Sequence, residues 1–289
     1  MIEIVRTIDF PLAYPANHYL VKTAKGLLQI DAGARPASNQ SANPDYVLIT
    51  HWHWDHTYGL VGRKDLNVCI SRDSFDKMNP EKSLERMREI VASVEGPQAW
   101  KFSRESAEIY VSKYVDVFQA LKEDHNIIWL EECPPINEEL VSYINCPGHS
   151  DDHVCFIIGD SVFVGDNMAP GWNVTLNDPL QYIESMYRLL KVNWNVAYPG
   201  HGDPLNRGKA VDYIVSTIRS KIRRMCKTLA SLEARSDLGN VIGKVYGPEM
   251  NGPLKYVAAR SLLGYLKNLE EMNIIKLVKN KYPWQVEKL

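Results

Sequence analysis

No stretch of this 289-residue chain approaches the roughly 20 apolar residues that cross a bilayer. Met1 to Phe10 carry charges and no apolar core, so they do not read as a secretory signal. Cysteine is scarce: Cys69, Cys133, Cys146, Cys155 and Cys226 are odd in number, scattered, and form no Cys-x-x-Cys pair. The plain expectation is five reduced thiols in a cytoplasmic protein, with Cys146 packed as a small hydrophobe. No Gly-x-Ser-x-Gly occurs either, so a nucleophile-elbow serine hydrolase is excluded.

What is present is ordinary globular material. Hydrophobic residues make up 45% and charged residues 24%, enough for one large core with a small appendage. The net charge of −2 hides an asymmetry. From Asn206 onward 16 Lys and Arg stand against 7 Asp and Glu, whereas residues 1–205 carry 17 basic and 28 acidic side chains. A basic end of this kind suits either polyanion binding or a solvated helix face.

The most informative stretch is Thr50-His51-Trp52-His53-Trp54-Asp55-His56, directly after the apolar run Asp45–Ile49. That run reads as a buried strand. Alternation along an extended segment sends His51 and His53 to the same side, as two ligands of one metal require. Asp55 and His56 follow where the chain turns, and can address a second ion. Imidazole and carboxylate together suit zinc, with manganese, iron, cobalt or nickel as further candidates.

His-x-His-x-Asp-His after a strand resembles the signature of the metallo-β-lactamase-fold hydrolases. Three later segments resemble that family's remaining ligand loops: Cys146-Pro147-Gly148-His149-Ser150, Val164-Gly165-Asp166 and Pro199-Gly200-His201-Gly202. The resemblance implies that His51, His53 and His149 hold one metal, that Asp55, His56 and His201 hold another, and that Asp166 bridges them. It implies two zinc ions per chain, with manganese or iron as substitutes. Asp31-Ala32-Gly33 resembles a family turn whose aspartate supports the site without ligating. His153 is expected to support the site as well. Two departures stand out: the family's paired glycines after the hexad appear as Tyr58-Gly59, and the long helix from Gly208 to about Arg235 has no histidine.

In chain order, paired strands at Ile2–Ile8, Asn17–Thr23 and Gly26–Asp31 lead into strands alternating with helices. This pattern fits an α/β fold, the αββα sandwich implied by the resemblance, over residues 1–235. Residues 72–126 carry apolar side chains at helical spacing on both sides of Gly96-Pro97, including Leu84, Met87, Ile90, Val91 and Val94, then Ile109, Tyr110, Tyr114, Val117, Phe118 and Leu121. They read as a helical insertion, serving as a surface decoration, a homodimer contact or a lid, with Ser103 capping its second helix. Residues 236–289 read as helices followed by a hairpin of Ile274–Val278 with Trp284–Val286. That order resembles the winged-helix appendage of a subgroup containing β-lactamase-like endoribonucleases and thioesterases.

The expected activity is metal-dependent hydrolysis. Two divalent ions about 3.5–4 Å apart would generate the attacking hydroxide, with Asp55 orienting it and accepting its proton. Single-stranded RNA is the first substrate expected, because Arg219, Arg223 and Lys227 form a basic stripe and Lys276, Lys279 and Lys281 cluster near the hairpin. Glyoxalase-II-like hydrolysis of a small-molecule thioester or ester is the alternative. A non-catalytic nucleic-acid-binding protein ranks below both, since no ligand position is lost. A true β-lactamase is disfavoured by the lack of cysteine at any ligand position, and a di-iron flavoprotein by His53 where that group has Glu. No membrane partner is expected.

Overall fold

A computed structural model describes residues 1–8, 15–36, 43–172, 174–248, 250 and 252–289. Its first sheet has six strands in the order β1 (Ile2–Ile8), β2 (Pro15–Thr23), β3 (Gly26–Ile30), β4 (Tyr46–Leu48), β5 (Asn67–Ile70) and β6 (Asn126–Trp129). The β1–β3 strands pair antiparallel and β3–β6 parallel, with Ile30 opposite Leu48 and Leu48 opposite Cys69. The second sheet contains β7 (Ser142–Asn145), β8 (Val154–Ile158), β9 (Ser161–Gly165), β10 (Val196–Pro199) and β11 (Leu205–Asn206), arranged as β11-β10-β9-β8-β7. A third, small sheet pairs β12 (Arg235–Asp237), β13 (Ile275–Val278) and β14 (Gln285–Lys288), with β14 in the centre.

The helices are α1 (Trp54–Thr57), α2 (Arg72–Lys77), α3 (Pro80–Glu95), α4 (Trp100–Glu123), α5 (Pro134–Asn137), α6 (Pro179–Lys191), α7 (Arg207–Ser231), α8 (Leu238–Tyr246) and α9 (Gly252–Glu271). Three apolar clusters show how they stack. Alternate strand residues face opposite ways. Leu48, Cys69 and Phe163 therefore meet Tyr19, Ile30 and Phe156 between the two large sheets. Val47, Ile49, Val68 and Ile70 turn outward onto Tyr114, Val117 and Leu121 of α4. Val162 and Val164 turn outward onto Tyr182, Met186 and Leu189 of α6 and Ala210 and Ile214 of α7. Burial on both faces explains why these strands are short apolar runs rather than alternating ones. The result is an αββα sandwich, the expected α/β fold.

The 72–126 segment is built into that sandwich. Its second helix, α4, supplies one outer layer. Ser103 does not cap it: the helix already begins at Trp100, so Ser103 lies inside the first turn. Tyr110 lies outside the described side chains. The apolar face of α3 is covered within the chain, Ile90 and Val94 joining Leu238, Val241, Leu262 and Val286. The Ser93 carbonyl accepts from Trp284 N at 2.8 Å, and Glu95 takes Lys255 at 2.6 Å and Tyr256 at 3.1 Å.

In the C-terminal part the hairpin is present as β13 and β14, with β12 added to it. Arg235–Asp237 is claimed by that sheet, so α7 ends at Ser231, earlier than its periodicity suggested. The apolar cluster there also takes Met225 and Leu229 from α7. We propose residues 236–289 as a separate C-terminal unit that resembles a winged helix.

One expectation is corrected. Cys69 on β5 and Cys133 beyond β6 form a disulfide, leaving Cys146, Cys155 and Cys226 free. Cys69 and Cys133 are 64 residues apart in sequence, and parallel pairing of β5 with β6 brings them together; spacing alone gave no hint. Cys146 and Cys155 are buried in the core, as expected for packing residues. Among the described residues no helix is long and apolar enough to cross a membrane.

Alkylation of denatured, unreduced protein should label three cysteines rather than five. Reduction should then lower unfolding stability by roughly 2–4 kcal/mol, read as a shift in denaturant midpoint. Labelling of all five would show that this pair does not form.

Candidate metal centre

The carboxyl ends of β3, β4, β7, β9 and β10 gather at one edge of the sandwich, and each is followed by a residue of interest. Asp31 follows β3, the His51–His56 loop follows β4, His149 follows β7, Asp166 follows β9 and His201 follows β10. The period-two reading of the loop holds in space. Trp52 stacks on Tyr114 of α4 with ring centroids 5.0 Å apart, while His51 and His53 turn to the other side.

The seven expected residues fall into two groups that share one carboxylate. His51, His53, His149 and Asp166 form the first; Asp55, His56, Asp166 and His201 form the second. In the first, His53 Nδ1 lies 3.0 Å from His51 Nε2 and 2.9 Å from His149 Nε2. Asp166 Oδ2 is 3.4 Å from His149 Nε2. In the second, Asp166 Oδ1 lies 3.1 Å from His56 Nε2 and 3.2 Å from His201 Nε2, while Asp55 Oδ2 is 3.3 Å from His201 Nε2. Each oxygen of Asp166 thus serves one group.

The ring nitrogens turned away from the cluster fix its tautomers. His149 Nδ1 donates to the Thr175 carbonyl at 2.8 Å, and His201 Nδ1 to the Pro15 carbonyl at 2.7 Å. A carbonyl only accepts, so the proton is on Nδ1 and the Nε2 lone pair is left for the cluster when the ring is neutral. Asp31 performs the same office for His56 at 2.8 Å and is itself held by the N–H and hydroxyl of Thr50. Asp31 therefore touches the site through His56 and belongs to neither group. His153 stacks on His51 at 4.7 Å and also belongs to neither. A Cβ on Gly200 would come within 2.3 Å of Asp166 Oδ1, so only glycine lets this backbone pass so close.

Electrostatically the groups differ. Burial, reinforced by neighbouring imidazoles, pushes His51 and His53 well below the usual histidine range, and burial lowers His149 to about 4. All three are neutral lone-pair donors at pH 7. Burial would also lower His56 and His201, but Asp166, with Asp31 and Asp55, overrides it. His56 is raised well above its usual value and His201 to about 10. Burial alone would raise Asp55 and Asp166; the adjacent imidazoles hold both below the carboxylate range. Protons thus occupy the second group where a cation would otherwise balance the carboxylates.

The donors fit a divalent metal. His56 Nε2 and Asp166 Oδ1 are buried without an aligned hydrogen bond. Such orphaned polar atoms are costly unless something binds them. Three imidazoles converging on one point, with a carboxylate beside them, is likewise a ligand set rather than a hydrogen-bonded one.

Sequence reading missed several contributors. Thr175 and Pro15 act through backbone carbonyls, which no residue type announces. Arg260 of α9 donates to His53 Nε2 at 3.1 Å across 207 positions, without a motif. Asp152 lies between the His149 segment and His153, but its part was not foreseen: it accepts from Trp52 N at 2.9 Å and Ser74 Oγ at 2.5 Å, anchoring the loop. Of the basic stripe, Arg219 and Arg223 are exposed, whereas the Lys227 ammonium donates to the Val245 carbonyl at 2.6 Å.

Residues 13–171, just over half of the chain, match the family described as Metallo-beta-lactamase superfamily. Among curated relatives, Atrochrysone carboxyl ACP thioesterase of Passalora fulva is 23% identical over 264 residues, covering 84% of this chain and 66% of that protein. Lactamase-like protein nscB of Trichophyton rubrum is 27% identical over 286 residues, covering 90% of this chain and 75% of its own. The chain spans 66%, 53%, 50% and 58% of the first relatives it matches, so it is shorter than they are. Two solved structures share the fold over 100% of the chain. A metallo-beta-lactamase family protein of Thermus thermophilus, 98% covered, has a TM-score of 0.70 at 18% identity. A beta-lactamase domain protein of Burkholderia ambifaria, 91% covered, has 0.71 at 15%.

Loading the second group must expel protons from His56 and His201, because a metal takes the same lone pairs. Its affinity should fall as pH falls, whereas the first group, neutral from about pH 5 upward, should load without proton release. Titrating zinc into chelator-stripped protein at pH 7 in two buffers of different ionisation enthalpy checks this. One binding step should show buffer-dependent heat; buffer-independent heat at both steps would refute the assignment.

Proposed function

Given that the chain belongs to the metallo-beta-lactamase superfamily, we propose that it is a dinuclear zinc hydrolase acting on acyl thioesters or related esters. The observation that carries the hydrolase reading is the pair of donor groups sharing Asp166. In this reading His51, His53 and His149 hold one ion, Asp55, His56 and His201 the other, and Asp166 both. Two such ions, when bound, supply Lewis acidity and make water acidic enough to attack near neutral pH.

The chain's own groups do the rest. Asp55 stands in the second group with Oδ2 3.3 Å from His201 Nε2, where its carboxylate can orient an attacking water and accept its proton. Asp31 and the carbonyls of Thr175 and Pro15 keep His56, His149 and His201 from rotating. The Trp52–Tyr114 stack, with Arg86 over the Trp52 ring at 4.7 Å, backs the loop from behind. Positioning of this kind lets the reacting groups meet without further reorganisation.

The acyl substrate class is supported by the thioesterase that matches over 84% of this chain. Single-stranded RNA keeps one observation in its favour, the exposed Arg219, Arg223, Lys276, Lys279 and Lys281. Lys227, whose ammonium is already engaged, weakens that stripe. A homodimer is not needed to cover α3, whose apolar face is buried within the chain.

Zinc-reconstituted protein should hydrolyse small acyl thioesters, and chelation should abolish turnover. Asp55→Asn should lower kcat by about 100-fold or more while KM moves little, since the change alters proton transfer and the second donor group. Equal losses in kcat and in substrate affinity would contradict that role. Cleavage of single-stranded RNA with a steep salt dependence, and no thioester turnover, would replace this reading with the RNA one.

A further inference from the structure

We propose that Arg260 is the positioning residue for an anionic group on the substrate, a carboxylate in the acyl reading on which this inference rests. The residue comes from α9, far from every sequence motif, yet its guanidinium borders the first donor group. Nη2 is 3.1 Å from His53 Nε2, and Nε donates to Asn177 Oδ1 at 2.7 Å.

The fold holds it there deliberately. A Cβ on Gly264 would lie 2.5 Å from the Asn177 carbonyl oxygen, so α9 touches the 175–178 loop as closely as a helix can. One turn on, Lys267 pairs with Asp178 at 2.8 Å and Asn268 donates to the same carboxylate at 3.0 Å. The same loop carries Thr175, whose carbonyl orients His149. Arg260 is thus fastened to the segment that positions one donor while touching another.

Its charge has no anionic partner. Lys255 pairs with Glu95 and Lys267 with Asp178, but Arg260 makes no ion pair among the described residues. Nearby cations add to the imbalance. The buried Lys221 ammonium donates to the Val174 carbonyl, and the Arg224 guanidinium lies 4.6 Å over the Tyr246 ring. Neither meets a carboxylate among the described residues. Lys221 and Arg224 line one cavity with Val174 and Thr175, and Arg260 holds Asn177, while the nearby Asp151 and Asp178 are already paired with Lys77 and Lys267.

His53 faces its group through Nδ1. Were a metal held there, the ring proton would sit on Nε2, where an arginine N–H cannot donate. Nη2 would then be free for a ligand, with the Nε bond to Asn177 kept. A guanidinium held at one edge presents its remaining donors as a fork, the geometry that suits a carboxylate.

The test compares wild type with Arg260→Met and Arg260→Lys, each checked for an unchanged melting curve. The substrates are a glutaryl thioester of N-acetylcysteamine and its methyl ester, identical but for the charge. Arg260→Met should raise KM for the acid about tenfold or more, the loss of a charge-assisted hydrogen bond, and leave the methyl ester within about twofold. Arg260→Lys should recover part of the loss. Equal damage to both substrates would overturn the proposal. A second arm needs no turnover: competition with a chromophoric chelator should show zinc bound by Arg260→Met at least as tightly as by wild type. A tenfold weaker affinity would make Arg260 a support for His53 and overturn the assignment. If wild type hydrolyses neither thioester, the acyl reading fails by itself. Calorimetric binding of glutarate to zinc-loaded protein then decides for Arg260, which is supported if Arg260→Met weakens it and overturned if wild type does not bind or the variant binds equally.

Discussion

The shared carboxylate of Asp166 is the constraint from which the rest of the architecture follows. It sits 8% exposed among His56, His149 and His201, with an oxygen assigned to each donor group. Burying a carboxylate is expensive, and it is tolerated only where opposite charges and well-placed donors surround it. Here those are imidazoles, and in the metal-free protein two of them are kept protonated to do it. Holding so many groups at contact distance requires that several segments of the chain converge on one place. The topology answers this by ending β3, β4, β7, β9 and β10 at one edge.

That edge also explains which parts of the site were legible in the sequence. His51, His53, Asp55 and His56 lie within six residues; alternation along an extended segment predicts the common direction of His51 and His53, and Asp55 and His56 follow where the chain turns into α1. His149, Asp166 and His201 each follow a short apolar run, so the order of strand, turn and donor is local information. The layers were legible for the same reason, because strands buried on both faces and helices with one apolar stripe leave different periods. The Cys69–Cys133 pairing was not, since it depends on which strands become neighbours across 64 positions. Carbonyls that orient imidazoles leave no trace in residue types at all.

The 72–126 segment shows a third kind of illegibility. Its apolar stripes were read correctly as helical, but a stripe says only that something covers it. Tyr114, Val117 and Leu121 cover the outer face of the first sheet, and Val94 covers the C-terminal cluster. A lid, a dimer contact and an integral layer all present the same periodicity; only the three-dimensional neighbours separate them.

The C-terminal part follows the same logic in reverse. Read alone it is a basic end, and its charge directs attention to polyanions. In the fold several of those charges are already engaged: Lys227 and Lys221 on carbonyls, Lys244 on Glu233, Lys255 on Glu95, Lys267 on Asp178. A net balance therefore overstates the cations open to a ligand, because Lys244, Lys255 and Lys267 are offset by carboxylates, while Lys221 and Lys227 keep their charge but have their donors engaged. What matters is the cation that packing brings inward without a counterion. By that measure the weight shifts from the exposed stripe of α7 to the half-buried Arg260, and from a surface that tracks a polymer to a site that grips one group. α9 then ceases to be an appendage: its close approach at Gly264 and its ties at Lys267 and Asn268 hold it against the 175–178 loop, beside the candidate metal centre.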